Sequence, residues 1–538
     1  MIQGHLYIEP PTLEMHPVAQ YPPPLSEDHL LWLSIQIQDW LLNHGSLIKD
    51  ISTQTVHSVK SYPIGVTLFP TLFPRQRFQE ALELQSIYNE LYCAVAEDEQ
   101  WILNAIEDLL PIDPLAAALW KIHQEVKQLG GYVQPISAGI FRSDYMLQDE
   151  SAEADDELSS MPQGSLKQVE FNTFACAGAS HANKIVDMHR HLARTGVYNA
   201  NNPSEDTTDS SHLVIPSNLP RNRNIESLAA GLASAHAAYG PPQSKVASKT
   251  AVLFVIQDQL TNFNVADERP IEYALWDQDP PVPTYRLNFG DEILEDTSLT
   301  ATGELLFHPP WLNAAAPIEI SVVYMRAGYE AHEYDEVGVR ARLRLERSRA
   351  IKCPSILAHI ATFKKVQYAL TRPGALERFL TPEKAAAVRA TFVPMYPMDS
   401  ESCAGQEARK LATDPLLAED YVLKPSLEGG GHNVYGDAIP EFLASQSPSK
   451  WDAYILMKRI PSPFAANMLM SSVGINSGGV ISELGVFGSC LWRRGADGRS
   501  CEVLENSTAG WSFKTKYQYT EEMSVVKGYG CFDTPLLA

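Results

Sequence analysis

A glycine-rich segment at 421–436 has the residue types and spacing of a phosphate-binding loop. It reads YVLKPSLEGGGHNVYG, in which a β-rich run leads into Lys424, then Glu428, then three glycines, Gly429, Gly430 and Gly431. Adjacent glycines let backbone N–H groups close around phosphate oxygens. Lys424 offers a charge to a phosphate, and Glu428 is of a type that holds a bridging Mg²⁺ ion. No Walker-type G-x-x-x-x-G-K-[ST] occurs, and a flexible glycine hinge is the alternative.

A second segment, QVEFNT at 168–173, predicts a strand with metal-binding side chains. Glu170 and Asn172 are two residues apart, so on a strand both point to one face. A carboxylate and an amide oxygen on one face suit Mg²⁺. An edge strand whose polar residues face solvent is the alternative.

Two further segments place charged residues in apolar strands. YMRAGY at 324–329 presents Arg326 and Tyr329 at a strand end. An arginine there can clamp a substrate carboxylate, although a structural salt bridge is the common alternative. SELGVFG at 482–488 carries Glu483, and a buried carboxylate needs a partner, for which an adenine or ribose hydroxyl is one candidate.

The elements that must position these side chains form a mixed α/β pattern. Apolar periodicity predicts helices at 80–93, 101–110 and 228–239, and buried strands at 251–256 and 319–324. The 538 residues imply two or three domains. We place an N-terminal body at 1–245, an α/β substrate-binding unit at 246–352 and a C-terminal body at 353–538.

Three charged or polar stretches remain. An arginine-dense helix at 340–350 is best interpreted as a solvated face with ion pairs. The acidic stretch 148–164 and the polar stretch 199–224 lack apolar periodicity and predict surface loops or insertions.

The composition narrows the classes of partner. A formal net charge of −23 argues against nucleic-acid or acidic-membrane partners, so a nucleotide would need a local cationic pocket with magnesium. No apolar run is long enough to span a bilayer, and the N-terminal 13 residues show no secretory signal. Seven cysteines without CxxC spacing suggest neither a disulfide framework nor a zinc site. We expect a cytoplasmic protein.

Eight segments follow one another in a fixed order: FRSDYM (141–146), QVEFNT (168–173), VVYMRAGY (322–329), ERSRAIKCP (346–354), FKKVQ (363–367), YVLKPSLEGGGHNVYG (421–436), YILM (454–457) and SELGVFG (482–488). In this order they resemble eukaryotic glutathione synthetase over 120–538. The resemblance implies an ATP-grasp fold with an inserted α/β substrate-binding domain and a glycine-rich lid, and a homodimer. It also implies that ATP phosphorylates a peptide carboxylate and an amine attacks the acyl phosphate.

The resemblance also implies roles for individual residues. Lys364 and Lys424 would bind the ATP phosphates, Glu170, Asn172 and Glu428 would hold Mg²⁺, and Gly429–Gly431 would form the phosphate lid. Arg142 would act with the two lysines in catalysis. The nucleotide pocket would include Asn433, Tyr435, Met457, Glu483 and Lys516, and the dipeptide site would include Arg142, Asn264, Arg326 and Tyr329. No covalent enzyme intermediate is expected, so Cys176 is not a nucleophile candidate.

The departures from the family pattern fall mostly on the substrate side. Ala175 and Ala177 replace two serines, so two hydroxyl hydrogen bonds worth about 0.5–1.5 kcal/mol each would be missing. Glu268 stands where the family has a glutamine. Lys514 replaces a carboxylate-clamping arginine, and Met523 and Ser524 replace two glycines before Val525 and Val526 of the acceptor loop.

Three functions remain open. The first is a glutathione synthetase that joins γ-glutamylcysteine to glycine with variant contacts. The second, favoured by the departures, is a paralogue that joins a different acid and amine. Here Glu268 would suit a cationic substrate, and Ala175 and Ala177 a more apolar or bulkier one. The third is a non-catalytic nucleotide-binding protein.

Overall fold

A computed structural model describes residues 21–55, 58–149, 164–198, 214–311, 316–426, 432–472, 474–498 and 500–538. Glu428, Gly429, Gly430 and Gly431 lie outside these ranges, as does most of the predicted acidic loop at 148–164 and of the polar stretch at 199–224. The predictions for these residues are therefore not addressed by the structure.

The helices begin and end as follows: α1 (Glu27–Asn43), α2 (Arg75–Glu97), α3 (Glu99–Ile106), α4 (Pro114–Gln128), α5 (Ala179–Thr195), α6 (Asn224–Tyr239), α7 (Val265–Trp276), α8 (Asp291–Glu295), α9 (Glu336–Glu346), α10 (Ile356–Ile360), α11 (Lys364–Thr371), α12 (Pro382–Ala390), α13 (Cys403–Thr413), α14 (Pro415–Ala418) and α15 (Ala438–Ala444).

The strands are β1 (Leu47–Thr55), β2 (Ser58–Pro63), β3 (Val66–Thr67), β4 (Thr71–Phe73), β5 (Ile136–Gln148), β6 (Ser165–Asn172), β7 (Thr250–Ile256), β8 (Thr284–Asn288), β9 (Thr297–Leu299), β10 (Leu305–Phe307), β11 (Ile318–Met325), β12 (Ile351–Cys353), β13 (Met395–Pro397), β14 (Tyr421–Pro425), β15 (Val434–Tyr435), β16 (Tyr454–Lys458), β17 (Ala465–Ser471), β18 (Gly474–Arg494), β19 (Cys501–Tyr517), β20 (Cys531–Asp533) and β21 (Pro535–Leu537).

Most of these strands join one large mixed sheet, the main sheet. Its order is β17-β3-β20-β19-β18-β5-β12-β11-β10-β9, with β6 paired to β5, and β7 paired to β11 and β8. Strand β11 pairs in parallel with β7 and β12 and antiparallel with β10, and β7 and β11 are buried along their whole length. Continuous runs of Val, Ile and Leu are typical of such central parallel strands.

The predicted α/β unit at 246–352 is continuous with the rest of the molecule. Strand β12 pairs with β5 at Lys352 and Ser137, so the sheet runs through the proposed boundary without a break. The domain limits therefore stay a prediction.

A second, smaller sheet has the order β13-β16-β14-β15. In this sheet Val422 pairs with both Tyr435 and Met457. The described residues of the segments at 168–173 and 421–436 thus lie on two separate sheets.

Most predicted elements are confirmed. Helices α2 and α6 cover 80–93 and 228–239, and strands β6, β7 and β11 cover the three predicted strands. The second predicted helix ends earlier than expected, at Ile106, where a run of turns begins. No helix in the described ranges is long and apolar enough to cross a membrane.

The interpretation of the arginine-dense helix is wrong for one residue. Helix α9 ends at Glu346, and Arg342 is fully buried with its Nε 2.9 Å from Glu346 Oε1. The cause is that α9 packs against α4 and α8, so one face cannot be solvated. Arg340 and Arg347 on the other face are exposed as predicted.

Candidate active site

An open cavity of about 570 Å³ lies between the main sheet and the smaller sheet. Most of the residues predicted to bind ATP, metal or substrate that the structure describes line its wall: Arg142, Glu170, Asn172, Ala175, Ala177, Asn264, Arg326, Tyr329, Lys364, Lys424, Asn433, Tyr435, Met457, Glu483, Lys514, Lys516, Val525 and Val526. Residues that are far apart in the sequence therefore share one site.

Two buried lysines that are predicted to bind phosphate lie near one carboxylate in this cavity. Lys364 begins α11 and places Nζ 3.1 Å from Glu170 Oε2, and Lys424 near the end of β14 donates to the Val169 carbonyl at 2.8 Å. Burial opposes ionisation of Glu170, but Lys364, Lys424 and Arg142 outweigh it and hold its pKa well below the ordinary value. Burial lowers the pKa of Lys424, and Glu170 opposes that shift. An anionic ligand would relieve this surplus of positive charge.

Glu170 and Asn172 lie on one face of β6, as predicted, together with a residue that the sequence reasoning missed. Asp144 of β5 stands opposite Glu170 in the strand register. The Asn172 Nδ2 atom donates to Asp144 Oδ2 at 3.1 Å and to Glu170 Oε1 at 3.2 Å. The spacing of Arg142 and Asp144, two apart on a strand, was the signal that could have found it.

The oxygen atoms here fit a hard cation in type. Asn172 uses its nitrogen toward the two carboxylates, which leaves its amide oxygen and the Glu170 carboxylate as oxygen donors at the cavity wall. No group of three or more His, Cys, Asp or Glu side chains in the described ranges is arranged to hold a metal ion. A Mg²⁺ ion would therefore depend on ligands beyond these, and Glu428 lies outside the described residues.

The predicted nucleotide wall is formed by β15, β16, β18 and β19. Asn433 Nδ2 contacts the Tyr435 hydroxyl at 3.3 Å, and that hydroxyl donates to Glu522 at 2.8 Å. Lys516 Nζ donates to the Glu521 carbonyl at 2.5 Å. The C-terminal segment that carries the two glutamates is thus tied to the strand that follows the glycine-rich loop.

Glu483 finds its partner within the protein. Glu483 and Lys514 are directly opposite in the β18–β19 register, and Nζ lies 2.5 Å from Oε1. Burial raises the pKa of Glu483, and Lys514 opposes that shift. Lys514, the candidate clamp for an acceptor carboxylate, is therefore already paired with the carboxylate of Glu483.

Elsewhere on the cavity wall, two arginines hold a backbone loop. Arg142 donates to both oxygens of Asp144 at 2.7 Å and to the Ala177 carbonyl at 2.9 Å. Arg326 donates to the Cys176 carbonyl at 2.5 Å and to Asp267 at 3.2 Å.

Glu268 does not lie on the cavity wall. It is buried 3.6 Å from the Nε atom of Arg326 and 3.5 Å from Arg286 Nη2, and it accepts a hydrogen bond from Asn262 at 2.8 Å. Glu268 would therefore influence a substrate through Arg326, which does line the cavity. Its direct contact with substrate stays a prediction.

The cavity differs in charge from the protein as a whole. Its described lining holds nine Lys and Arg side chains against five Glu, within a chain of net charge −23. Such a local cationic pocket was expected for an acidic protein that binds a nucleotide.

Comparison with known proteins places this geometry in a family. The family model described as "Eukaryotic glutathione synthase, ATP binding domain" matches residues 27–537. The chain belongs to the eukaryotic glutathione synthase family. This is a family of ATP-dependent ligases that form carbon–nitrogen bonds, so the predicted family and enzyme class are confirmed.

Relatives of the glutathione synthase family match nearly the whole chain. The glutathione synthetase of Homo sapiens is 32% identical over 94% of this chain and 96% of its own length. The glutathione synthetase large chain of Schizosaccharomyces pombe is 30% identical over 91% and 94%, respectively. The apo structure of a glutathione synthetase-like effector, GSS30, from Globodera pallida superposes with a TM-score of 0.69 at 20% identity, over 96% of this chain and 98% of that one. That likeness supports the fold.

Proposed function

We propose that this protein is an ATP-grasp ligase that activates a carboxylic acid as its acyl phosphate and joins it to an amine. The convergence of buried Lys364 and Lys424 on Glu170 carries this proposal. Phosphoryl transfer needs positioned cations more than a protein nucleophile, because charge is spread over the phosphoryl oxygens in the transition state.

Each part of the cavity has a role in this reaction. Lys364 and Lys424 bind phosphate oxygens, while Glu170, Asn172 and Glu428 hold Mg²⁺, which neutralises phosphate charge when bound. Gly429–Gly431 close over the phosphates as a lid. Asn433, Tyr435, Met457, Glu483 and Lys516 line the nucleotide pocket, and Arg142 lies between the phosphate end and the acyl donor.

The acid and the amine differ from those of glutathione synthesis in this proposal. The cavity wall carries methyl groups at Ala175 and Ala177, and Lys514 is engaged by Glu483. Lysine cannot replace a bidentate arginine at a carboxylate clamp. The second candidate is glutathione synthetase itself, which the names of the relatives at 30–32% identity favour.

One assay separates the candidates. Purified protein is incubated with ATP and Mg²⁺, and ADP release is followed across pairs of acids and amines. Release that requires γ-glutamylcysteine and glycine supports glutathione synthetase, and release only with other pairs supports the paralogue. ATP binding without release with any pair points to a non-catalytic protein. Lys424→Ala must abolish turnover with the fold intact; unchanged turnover would refute the phosphate-loop assignment.

We also propose that the protein is a homodimer through the outer face of α1. Leu31, Ile35 and Leu42 share one helical face, and their side chains are 46–63% exposed. Helix α1 contacts β2, and Val59 of β2 and Ile51 of the paired strand β1 are also exposed. Leu31→Glu with Ile35→Glu should give a monomer in light scattering. Leu416→Glu, an exposed leucine on α14, is the matched control. An unchanged mass for the double variant would contradict this interface.

A further inference from the structure

The loop 173–178, which directly follows the end of β6, forms a platform in the cavity wall. Arg142 and Arg326 donate to the carbonyls of Ala177 and Cys176, and Asp267 accepts from the backbone N–H groups of Gly178 and Ser180 at 3.0 and 2.9 Å. These contacts fix the loop from both sides.

The backbone conformation of Ala175 shows that the surroundings constrain the platform. Its φ is +46°, the only positive φ of a non-glycine residue in the described ranges. A left-handed alanine is strained and persists only where the surroundings impose it. The imposed conformation belongs to a residue that lines the cavity.

The charges behind the platform cancel. Arg142 is paired with Asp144, Arg326 lies between Asp267 and Glu268, and further back Glu272 lies between Arg269 and Arg286. Four arginines thus meet four buried carboxylates, and none of these arginines offers an uncompensated charge to a ligand. Lys527 also lines the cavity, but it is exposed, so water screens its charge.

Apolar side chains form part of the same cavity wall as the platform. They are Ala175, Ala177, Phe174, Phe263, Met523, Val525 and Phe532, and the uncharged polar residues Gln257, Asn264 and Tyr329 also line this wall. A charged group held here would lose hydration without gaining a cation in return, and this is unfavourable.

We infer that the acyl donor ends in an uncharged, apolar group against this platform, and that Glu268 is a specificity-determining residue because it cancels the charge of Arg326. This inference rests on the proposed ligase function. This inference differs from the expectation that Glu268 binds a cationic substrate. Glu268 does not line the cavity, and two arginines already match its charge.

The test uses three acyl donors that share one scaffold and differ only at the distal end. N-Pentanoylcysteine, N-glutarylcysteine and N-(5-aminopentanoyl)cysteine end in a methyl, a carboxylate and an ammonium group. We expect the wild type to show the highest kcat/KM for the methyl end, by roughly tenfold or more over either charged end. A wild-type preference for the carboxylate or the ammonium end would overturn the inference.

Glu268→Gln tests the role of that carboxylate. Loss of its charge exposes the charge of Arg326, so kcat/KM for the carboxylate-ended donor should rise about tenfold, mainly through KM, while the methyl-ended donor changes less than about twofold. An unchanged ratio between the two donors would overturn the role of Glu268. Glu319→Gln is the control, because Glu319 is buried like Glu268 but binds Tyr239, Gln243 and Ser244 and no residue of the cavity wall.

The double variant Ala175→Ser with Ala177→Ser adds two hydroxyl groups to the cavity wall and keeps the buried ion pairs. It should lower the preference for the methyl end, and an unchanged preference would count against the apolar platform. If none of these three donors is turned over, the proposed function is decided by the wider ADP-release assay. The inference is then tested by calorimetry of the three acids in the presence of a non-hydrolysable ATP analogue, with the same order of affinity expected and a tighter charged end contradicting it.

Discussion

Lys364 and Glu170 form an ion pair, with 3.1 Å between Nζ and Oε2, where the first turn of α11 meets β6. The next residue of the helix, Lys365, is equally buried but pairs with Asp108 at 2.5 Å, away from the cavity. One helix start thus directs two neighbouring lysines to different surroundings. This provides a pair of variants that separates catalysis from stability.

Lys364→Met should lower ATP turnover by about 10³-fold, as removal of a positioned cation at transferring phosphate does. Lys365→Met should leave turnover within about threefold, although it also leaves a carboxylate without its lysine. Steady-state ADP release and thermal unfolding are measured on both. Equal losses of activity in the two variants would mean that Lys364 acts only through stability.

The Glu483–Lys514 pair should behave as a buried, coupled unit. Lys514→Met leaves Glu483 buried without its cation, and we expect a loss of about 3 kcal/mol or more. Adding Glu483→Gln should recover most of that loss, since it removes the uncompensated charge. Thermal unfolding of the two single variants and the double variant gives the coupling energy. Additive losses would show that the side chains do not interact.

Substitution by glycine should change the stability of the protein in opposite directions at Ala175 and Ala177. Ala175→Gly relieves a left-handed φ of +46° and should stabilise the protein by up to about 1 kcal/mol. Ala177→Gly relieves no such strain and should destabilise it by about 0.5–1 kcal/mol, because the unfolded chain gains freedom. Denaturant midpoints test this, and the same sign for both changes would argue against strain at Ala175.

Asp533 should give the protein a distinctive pH dependence. It is fully buried and accepts from Thr67, Thr71 and Thr515 at 2.5–2.7 Å, and burial, opposed by these hydrogen bonds, raises its pKa to about 6. A raised carboxyl pKa favours folding below the unfolded value of about 3.9, and this contribution is lost as pH rises through about 6.

The variant Asp533→Asn removes that titration. The free energy of unfolding of the variant minus that of the wild type should therefore rise as the pH increases from 4 to 6, and it should be constant above pH 6. Unfolding midpoints at several pH values provide the measurement. A wild-type to variant difference that is constant over this range would show that Asp533 does not titrate there.

Local patterns were sufficient to predict the strand face of Glu170 and Asn172, because a period of two is a property of any strand. The same argument applied to Arg142 would have found Asp144. The segments at 168–173 and 421–436 also predicted one shared site, and the structure places Glu170 and Lys424 on the wall of one cavity.

Pairings between distant residues could not be predicted in this way. The Glu483–Lys514 pair depends on the register of two long strands, which is set by their packing and not by either segment alone. The position of Glu268 behind Arg326 depends on how α7 packs beneath the main sheet. Burial of Arg342 likewise required knowledge of which face of α9 meets α4.

The central claim is that a carboxylate is activated by phosphorylation before the amine attacks. An acid found in the ADP-release assay is labelled with ¹⁸O in its carboxylate and converted with ATP and the amine, and the phosphate product is analysed by mass spectrometry. The account predicts that one carboxylate ¹⁸O atom appears in each phosphate released. Phosphate without ¹⁸O, formed at the same rate as the amide, would contradict an acyl-phosphate ligase.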